Sequence, residues 1–215
     1  MTDVIESDLP RQSLTARHNA LTRELIVQAG VRALQAGGLR DVTVRAVATD
    51  AGVAERTVFR HFATRDQLLD GLAAEVSRQL QLPPLPGQAA DLADMPDALY
   101  RAFEAQAALV RAALHSELFE RMREGVARAR WATILQLIDA AVPQAPRRQR
   151  QLAAANIRYM LAATTWQYYR FFFGFSLGES VAAARQVVTQ ALNGLGIFTP
   201  PAAERPARTR QGQPR

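Results

Sequence analysis

Apolar residues recur with helical spacing along most of this chain, and no segment shows the alternation of a β-strand. The clearest spacing lies in residues 44–51, where four apolar residues share one helical face: Val44, Val47, Ala48 and Ala51. Gly52 follows, where a helix can stop in a left-handed conformation. A second short helix is predicted over residues 55–62. Two short helices joined at a glycine form the helix-turn-helix pattern.

The whole pattern spans residues 42–62. Its second helix has an apolar side and a strongly polar side. Val58 and Phe62 can face inward, whereas the polar side carries donors suited to phosphates and guanine edges. A solvated surface helix in an ordinary bundle has the same pattern. The pattern alone therefore leaves both interpretations open.

Helices are also predicted on both sides of this motif. The first spans residues 19–36, and its predicted apolar face consists of Leu21, Leu25, Ile26, Ala29, Ala33 and Leu34. Thr64 and Gln67 have the spacing of a capping box, which begins a fourth helix that continues to about residue 82. The proline-rich segment 83–87 then ends it.

The rest of the chain, residues 88–199, is predicted to be a second, all-helical domain. The expected helices span residues 94–115, one or two within 117–142, a long helix over 147–173 and a last one over 179–195. Residues 1–18 are predicted to be a disordered arm and residues 200–215 a disordered basic tail. The fold class is therefore all-α, with an N-terminal domain over residues 19–82.

Composition excludes several kinds of chemistry. The chain has no cysteine, which rules out disulfides and thiolate sites, and its three histidines lie far apart in sequence. We find no nucleophile–base pair, metal motif or glycine-rich phosphate loop, so we expect no catalysis, no cofactor and no metal. No apolar segment is long enough to span a bilayer, so we expect a cytoplasmic protein, associated with the nucleoid when it binds DNA.

The charge is basic and unevenly placed. The net charge is +6, and every basic residue is an arginine. Residues 17–65 contain eight arginines and four acidic residues. A basic segment that coincides with a helix-turn-helix pattern favours double-stranded DNA as the partner.

Residues 23–69 resemble the DNA-binding domain of TetR-family transcriptional regulators. The resemblance is carried without a gap by Ile26, Ala29, Gly38, Val42-Thr43-Val44, Val47-Ala48, Ala51-Gly52-Val53, Thr57-Val58-Phe59, His61-Phe62, Thr64-Arg65-Asp66 and Leu68-Leu69. It implies three N-terminal helices joined by a fourth to a helical effector-binding and dimerisation domain.

The resemblance also implies roles for individual residues. Candidates for contact with bases or the groove are Arg45, Glu55, Arg56 and Arg60. Candidates for contact with phosphates are Thr43, Thr57, His61 and Arg65. Phe59 stands where the family usually has a phosphate-binding tyrosine, and Ala54 replaces the usual serine cap of the recognition helix.

The resemblance further implies a homodimer formed through the last two helices, 147–173 and 179–195. Their apolar stripes are equally compatible with the core of a monomer. A pocket for a small hydrophobic effector, walled by Trp131, Tyr159 and Trp166, is a further hypothesis. The aromatic cluster 166–175 is more typical of a core or an interface than of a ligand site.

These observations predict a homodimeric repressor that binds a palindromic operator and is released by a small-molecule effector. The alternative is a constitutive or protein-controlled DNA-binding factor without a small-molecule ligand.

Overall fold

The structure is a computed structural model, and it describes residues 13–123 and 127–198. This part of the chain is all-α and contains no β-strand, as predicted. It divides into two compact units. The first unit consists of the chain up to Gln79 together with Arg111–Met122. The second unit consists of Leu80–Val110 and the chain from Arg123 onward.

The first helix, α1 (Leu14–Gly37), begins five residues before the predicted start. Ser13 caps it by accepting a hydrogen bond from the Ala16 amide at 3.2 Å. Residues 14–18, predicted as part of a disordered arm, are therefore helical. Residues 1–12 of that arm lie outside the described residues.

The apolar face predicted for α1 is partly wrong. The side chains of Leu21 and Leu25 are 60% and 53% exposed, whereas Ile26 and Leu34 are fully buried. Because each helical residue rotates the chain by about 100°, Leu21 and Leu25 lie on the side of α1 opposite the buried stripe. The stripe also contains Gly30, where an added Cβ would meet the Leu72 side chain at 2.5 Å.

The next two helices are α2 (Val44–Ala51) and α3 (Glu55–His61). Gly52 separates them in the left-handed conformation, with φ 67°, as the sequence predicts. Val47 and Val58 are buried and hold the two helices on the core of the first unit. The two helices and their turn lie within the predicted motif, residues 42–62, and Phe62 follows α3 instead of belonging to it.

The fourth helix, α4, spans Arg65–Gln79 and ends earlier than the predicted residue 82. The Thr64 hydroxyl accepts from the Gln67 amide at 3.2 Å, and the Gln67 side chain accepts from the Ala63 amide at 2.8 Å. This is the predicted capping box, with its return bond made one residue earlier than usual. Gln81 then adopts a positive φ of 41°, so the helix cannot continue into the prolines.

Residues after the prolines form more and shorter helices than predicted. A 3₁₀ turn (Ala89–Asp94) leads into α5 (Met95–Ala105), α6 (Ala107–Leu114) and α7 (Leu118–Met122). The predicted helix 94–115 is thus interrupted at Gln106. The division between the two units falls inside α6, so α7 belongs to the first unit.

The later helices are α8 (Arg128–Ala141), α9 (Arg147–Met160), α10 (Ala163–Gln167), a π-helical turn (Tyr168–Phe172) and α11 (Leu177–Asn193). The predicted helix 147–173 is therefore broken after Met160. The break is stabilised because other groups bind its freed carbonyls: Thr165 donates to the Tyr159 oxygen at 2.6 Å, and Tyr100 to the Met160 oxygen at 2.7 Å.

The last helix, α11, begins two residues before the prediction because Ser176 and Glu179 form a full capping box. Its buried side includes Ala184, Val188 and Leu192, each fully shielded from solvent. Among the described residues, no helix is long and apolar enough to cross a bilayer. The predicted basic tail, 200–215, lies outside the described residues.

Candidate nucleic-acid interface

The turn between α2 and α3 is built by backbone bonds and by one side-chain cap. Thr43 caps α2 by accepting from the Ala46 amide at 3.1 Å. The Val53 amide donates back to the Ala48 oxygen at 3.0 Å, which closes the corner after Gly52. These bonds fix the direction in which α3 leaves α2 and hence which of its side chains face solvent.

Three arginines project from this motif without partners. Arg45 on α2 and Arg56 and Arg60 on α3 are exposed. Among the described residues, none of them donates a hydrogen bond or pairs with a carboxylate. A guanidinium that remains fully hydrated and unpaired is available to phosphates and guanine edges.

The surface beside Arg45 is concave. An open depression is lined by Thr43, Arg45, Ala46, Thr49 and Asp50. Asp50 is already held by Arg32 of α1, with Nη2 2.8 Å from its carboxylate. The positive charge of Arg45 is therefore not offset by its acidic neighbour on the same helix.

The recognition helix lacks a side-chain cap. Ala54 occupies the N-cap of α3 in an extended conformation and makes no side-chain bond to the helix. The negative charge of Glu55, in the first turn, still interacts favourably with the positive end of the helix dipole. Phe59 is 51% exposed, and Thr57, whose amide donates to the Ala54 oxygen at 2.8 Å, is partly buried.

His61 is partly buried at the end of α3, and its Nε2 has no hydrogen-bond partner among the described groups. Burial first, and then the charges of Arg60 and Arg23, lower the pKa of His61 below its usual 6.5. The imidazole is therefore neutral at pH 7. Because Nε2 is shielded from solvent, a phosphate contact through this atom requires the ring to move.

Arg65 at the start of α4 is held in an ion pair, unlike the three exposed arginines of the helix-turn-helix. Its Nη1 lies 2.5 Å from a carboxylate oxygen of Glu117, and both side chains are about half exposed. A phosphate that approaches Arg65 therefore competes with Glu117 for the same donors.

A second ion-pair cluster holds α7 against α4. Arg121 contacts both Asp66 and Asp70, with each of its terminal nitrogens 2.5 Å from a carboxylate oxygen. Neither Glu117 nor Arg121 is among the residues predicted from the sequence. They lie more than 50 residues from their partners, and no local spacing identifies such a pair.

The hypothetical pocket residues lie in different settings within the second unit. Trp166 is fully buried, whereas Tyr159 is 60% exposed and Trp131 is partly buried. The Trp166 ring lies 5.8 Å from that of Phe103 and 5.4 Å from that of Phe171, and no described ring contact joins it to Trp131 or Tyr159.

The environment of Trp166 is also polar at one edge. Its indole Nε1 donates to Glu104 at 3.1 Å, and Arg170 donates to the same carboxylate at 2.6 and 3.0 Å. The Arg170 bond, with the Trp166 bond as a smaller contribution, lowers the pKa of Glu104. Trp166 thus packs in the core of this unit through ring contacts and an ionised partner.

Comparison with known families settles the nature of the first unit. The family model described as bacterial regulatory proteins, tetR family, matches residues 26–72. These residues run from the middle of α1 through the helix-turn-helix and into α4. Residues 26–72 therefore form a DNA-binding domain of the tetR family.

Solved structures show the same fold at low sequence identity. A transcriptional regulator from Rhodococcus sp. Rha1 is 18% identical, with a TM-score of 0.55 over 83% of this chain and 99% of that one. A protein from Mesorhizobium loti MAFF303099 that is assigned to the TetR family is 19% identical, with a TM-score of 0.50 over 82% of this chain and 97% of that one. None of the curated proteins matches this chain significantly.

Proposed function

We propose that this TetR-family regulator is a homodimeric repressor whose two subunits bind a palindromic operator. In each subunit α3 lies in the major groove, and the half-sites are separated by about one turn, roughly 34–36 Å. The observation that carries this proposal is the position of Arg45, Arg56 and Arg60 on one helix-turn-helix, where they are exposed and unpaired among the residues that the structure describes.

The remaining contacts follow from the same arrangement. Glu55, Arg56 and Arg60 on α3 and Arg45 on α2 contact bases or the groove. Thr43, Thr57 and Arg65 contact the backbone, and Phe59 packs its ring against the sugar–phosphate chain. His61 joins them once its ring turns outward.

Dimerisation through the last two predicted helices is supported by exposed apolar side chains. Between residues 147 and 173 the exposed large residues are Leu152, Tyr159, Tyr168, Phe171, Phe172 and Phe173. Large apolar side chains exposed together are typical of protein interfaces. A second copy of this chain would cover them, and the domain over residues 88–199 would then serve dimerisation as well as effector binding.

Release from DNA by a small-molecule effector is the second half of the proposal. An effector that prefers a conformation with mismatched recognition helices by several kcal/mol moves the regulator from mostly bound to mostly free. The ring contacts around Trp166 support the alternative, a constitutive or protein-controlled DNA-binding factor with no small-molecule ligand. In either case we place the protein in the cytoplasm, on the nucleoid when DNA is bound.

The test is a gel-shift titration of purified protein with the DNA upstream of its own gene. Arg45→Ala should weaken binding by about 1–3 kcal/mol if Arg45 reads a base edge. Arg101→Ala is the matched control, because it removes the same charge from an exposed site on α5. Affinity should also fall steeply with salt. Salt-independent binding, or equal losses in the two variants, would contradict the proposal.

A further inference from the structure

Two arginines of the second unit are partly buried and have no acidic partner among the described residues. Arg130 stands in the first turn of α8, and its Nη1 donates to the Pro83 oxygen at 3.0 Å. Its Nη2 is shielded from solvent and has no hydrogen-bond partner among the described groups. One of the three nitrogens of this guanidinium is therefore buried without any described group that accepts its protons.

Arg158 completes the pair from the neighbouring helix. Helices α8 and α9 pack as an antiparallel hairpin, since residues 142–146 join them and Arg150 on α9 binds Asp139 on α8 at 3.1 Å. Arg130 precedes Asp139 on α8, and Arg158 follows Arg150 on α9 by a similar distance. Antiparallel packing therefore brings Arg158 beside Arg130 at the other end of the hairpin.

No acidic group among the described residues neutralises Arg130 or Arg158. Arg158 is partly buried, donates no hydrogen bond and contacts no carboxylate within the described residues. Burial first, and then the charge of Arg158, lowers the pKa of Arg130 to about 10. Burial also lowers the pKa of Arg158. Both guanidinium groups remain charged at neutral pH, and burial makes the charged form of each less stable than it is in water.

The two ends of this hairpin differ in charge. At one end the partly buried Arg150 pairs with Asp139, although its Nε has no described acceptor; at the other end two arginines lie together without any described anion. A partly buried cation without a partner is unfavourable, and a cation that binds an oxyanion through two parallel N–H bonds is stable. Apolar side chains flank the site, since Ile134 and Ile157, each within about one turn of these arginines, are fully buried.

We propose that Arg130 and Arg158 bind the oxyanion group, carboxylate or phosphate, of a small-molecule ligand. The inference rests on the proposed effector-responsive function and changes it in one respect, because the effector then carries a negative charge in addition to apolar groups. Arg130 is oriented by its bond to Pro83, and Arg158 supplies the second fork of donors.

The first measurement is the melting temperature of the DNA-free protein at constant ionic strength, with chloride replaced by benzoate or by inorganic phosphate. Near ten times the dissociation constant, a bound anion should raise the melting temperature by about 3 °C. Arg158→Met should lose this shift. Arg147→Met, an exposed change on the same helix, should keep it. The benzoate arm and the phosphate arm distinguish the two oxyanions, and benzamide controls for the ring alone.

The second measurement needs no ligand. Arg158→Met should melt at a higher temperature than the wild type in chloride, because it replaces a partly buried charge that has no described partner with an apolar chain of similar length. A lower melting temperature would show that Arg158 has a structural partner, which would overturn the proposal. Equal responses of the wild type and Arg158→Met to both oxyanions would overturn it as well.

Failure of the site and failure of the proposed function are separable. A lost oxyanion response with intact gel shifts rejects the anion site alone. An intact oxyanion response in a protein that does not bind its upstream DNA rejects the regulator proposal and leaves the site standing.

Discussion

Two groups of partly buried charges, one in each unit, behave in opposite ways. Glu75 on α4 is only 12% exposed, and it accepts hydrogen bonds from Arg78 on its own helix, from Gln79 and from Gln28 on α1. The bond from Arg78 contributes most to lowering the pKa of Glu75 from 4.5 to about 2. In the second unit, Arg130 and Arg158 are also partly buried and have no such acceptors among the described residues.

The difference lies in the role of these charges: the carboxylate of Glu75 stabilises the fold, whereas the arginines are available to bind a partner. The chain satisfies Glu75 entirely from its own residues, so this carboxylate stabilises the packing of α1 on α4. Within the described residues it leaves Arg130 and Arg158 on one unit, and Arg45, Arg56 and Arg60 on the other, without acidic acceptors. We infer that these two groups of arginines, one on the helix-turn-helix and one partly buried between α8 and α9, contact binding partners of this protein.

The largest expected effect is on the satisfied side of this comparison. Glu75→Gln should lower the free energy of unfolding at pH 7 by about 3 kcal/mol, since a fall of the pKa from 4.5 to about 2 corresponds to that amount. The contribution of Glu75 is fully present above pH 4.5 and disappears as pH falls toward 2. Chemical denaturation at pH 7 and at pH 3 measures both.

The control for Glu75 is Asp97→Asn, which removes the carboxylate of the exposed Asp97–Arg101 pair. Exposed pairs contribute about 0–1 kcal/mol, so this variant should be nearly neutral. If the two variants lost equal stability at pH 7, burial would not distinguish the two carboxylates and the comparison would fail.

A smaller effect is expected where a charge is satisfied but exposed. Glu117→Gln should release Arg65 from its ion pair and tighten DNA binding by up to about 1 kcal/mol, because a phosphate no longer competes with a carboxylate. Stability should change by a similar or smaller amount. Gel shifts at low salt measure the gain. In a protein that already carries Arg65→Gln, adding Glu117→Gln should leave DNA affinity unchanged; a gain there would mean that Glu117 acts on DNA binding independently of Arg65.

The smallest effect concerns the unpartnered Nε2 of His61 in the first unit. The folded-state pKa lies below the unfolded value of 6.5, so the unfolded chain takes up the proton first. Stability contributed by the neutral ring is present above pH 6.5 and falls as pH decreases below that value. His61→Gln should flatten the stability profile between about pH 7 and 5; an unchanged slope would show that His61 is not the responsible group.

Local patterns predict the first unit well because its elements are encoded by neighbouring residues. Gly52 ends α2, Thr43 caps it and Thr64 with Gln67 begins α4, each within four residues of its partner. The sequence Ser-Leu-Gly-Glu at Ser176–Glu179 is an equally local signal, and the predicted start at residue 179 overlooked it.

Features that depend on distant residues could not be predicted in this way. The break after Met160 contains neither proline nor glycine, and it depends on Tyr100, 60 residues away. The exposure of Leu21 and Leu25 depends on which side of α1 meets α4. Arg65 and Glu117 are 52 residues apart, and the pairing of Arg130 with Arg158 depends on the register of two helices. The predicted roles of the DNA contacts and of Trp131, Tyr159 and Trp166 stay predictions.

The π-helical turn at Tyr168–Phe172 has a consequence for how this protein is compared with its relatives. A π turn contains one residue more than the α-helical turn it replaces, so it is the equivalent of a one-residue insertion inside a helix. In an alignment with a relative whose helix lacks the π turn, every position after Phe172 is displaced by one residue unless a gap is placed at the turn. At 18–19% identity to the solved structures, gaps in this region are best placed at the π turn itself.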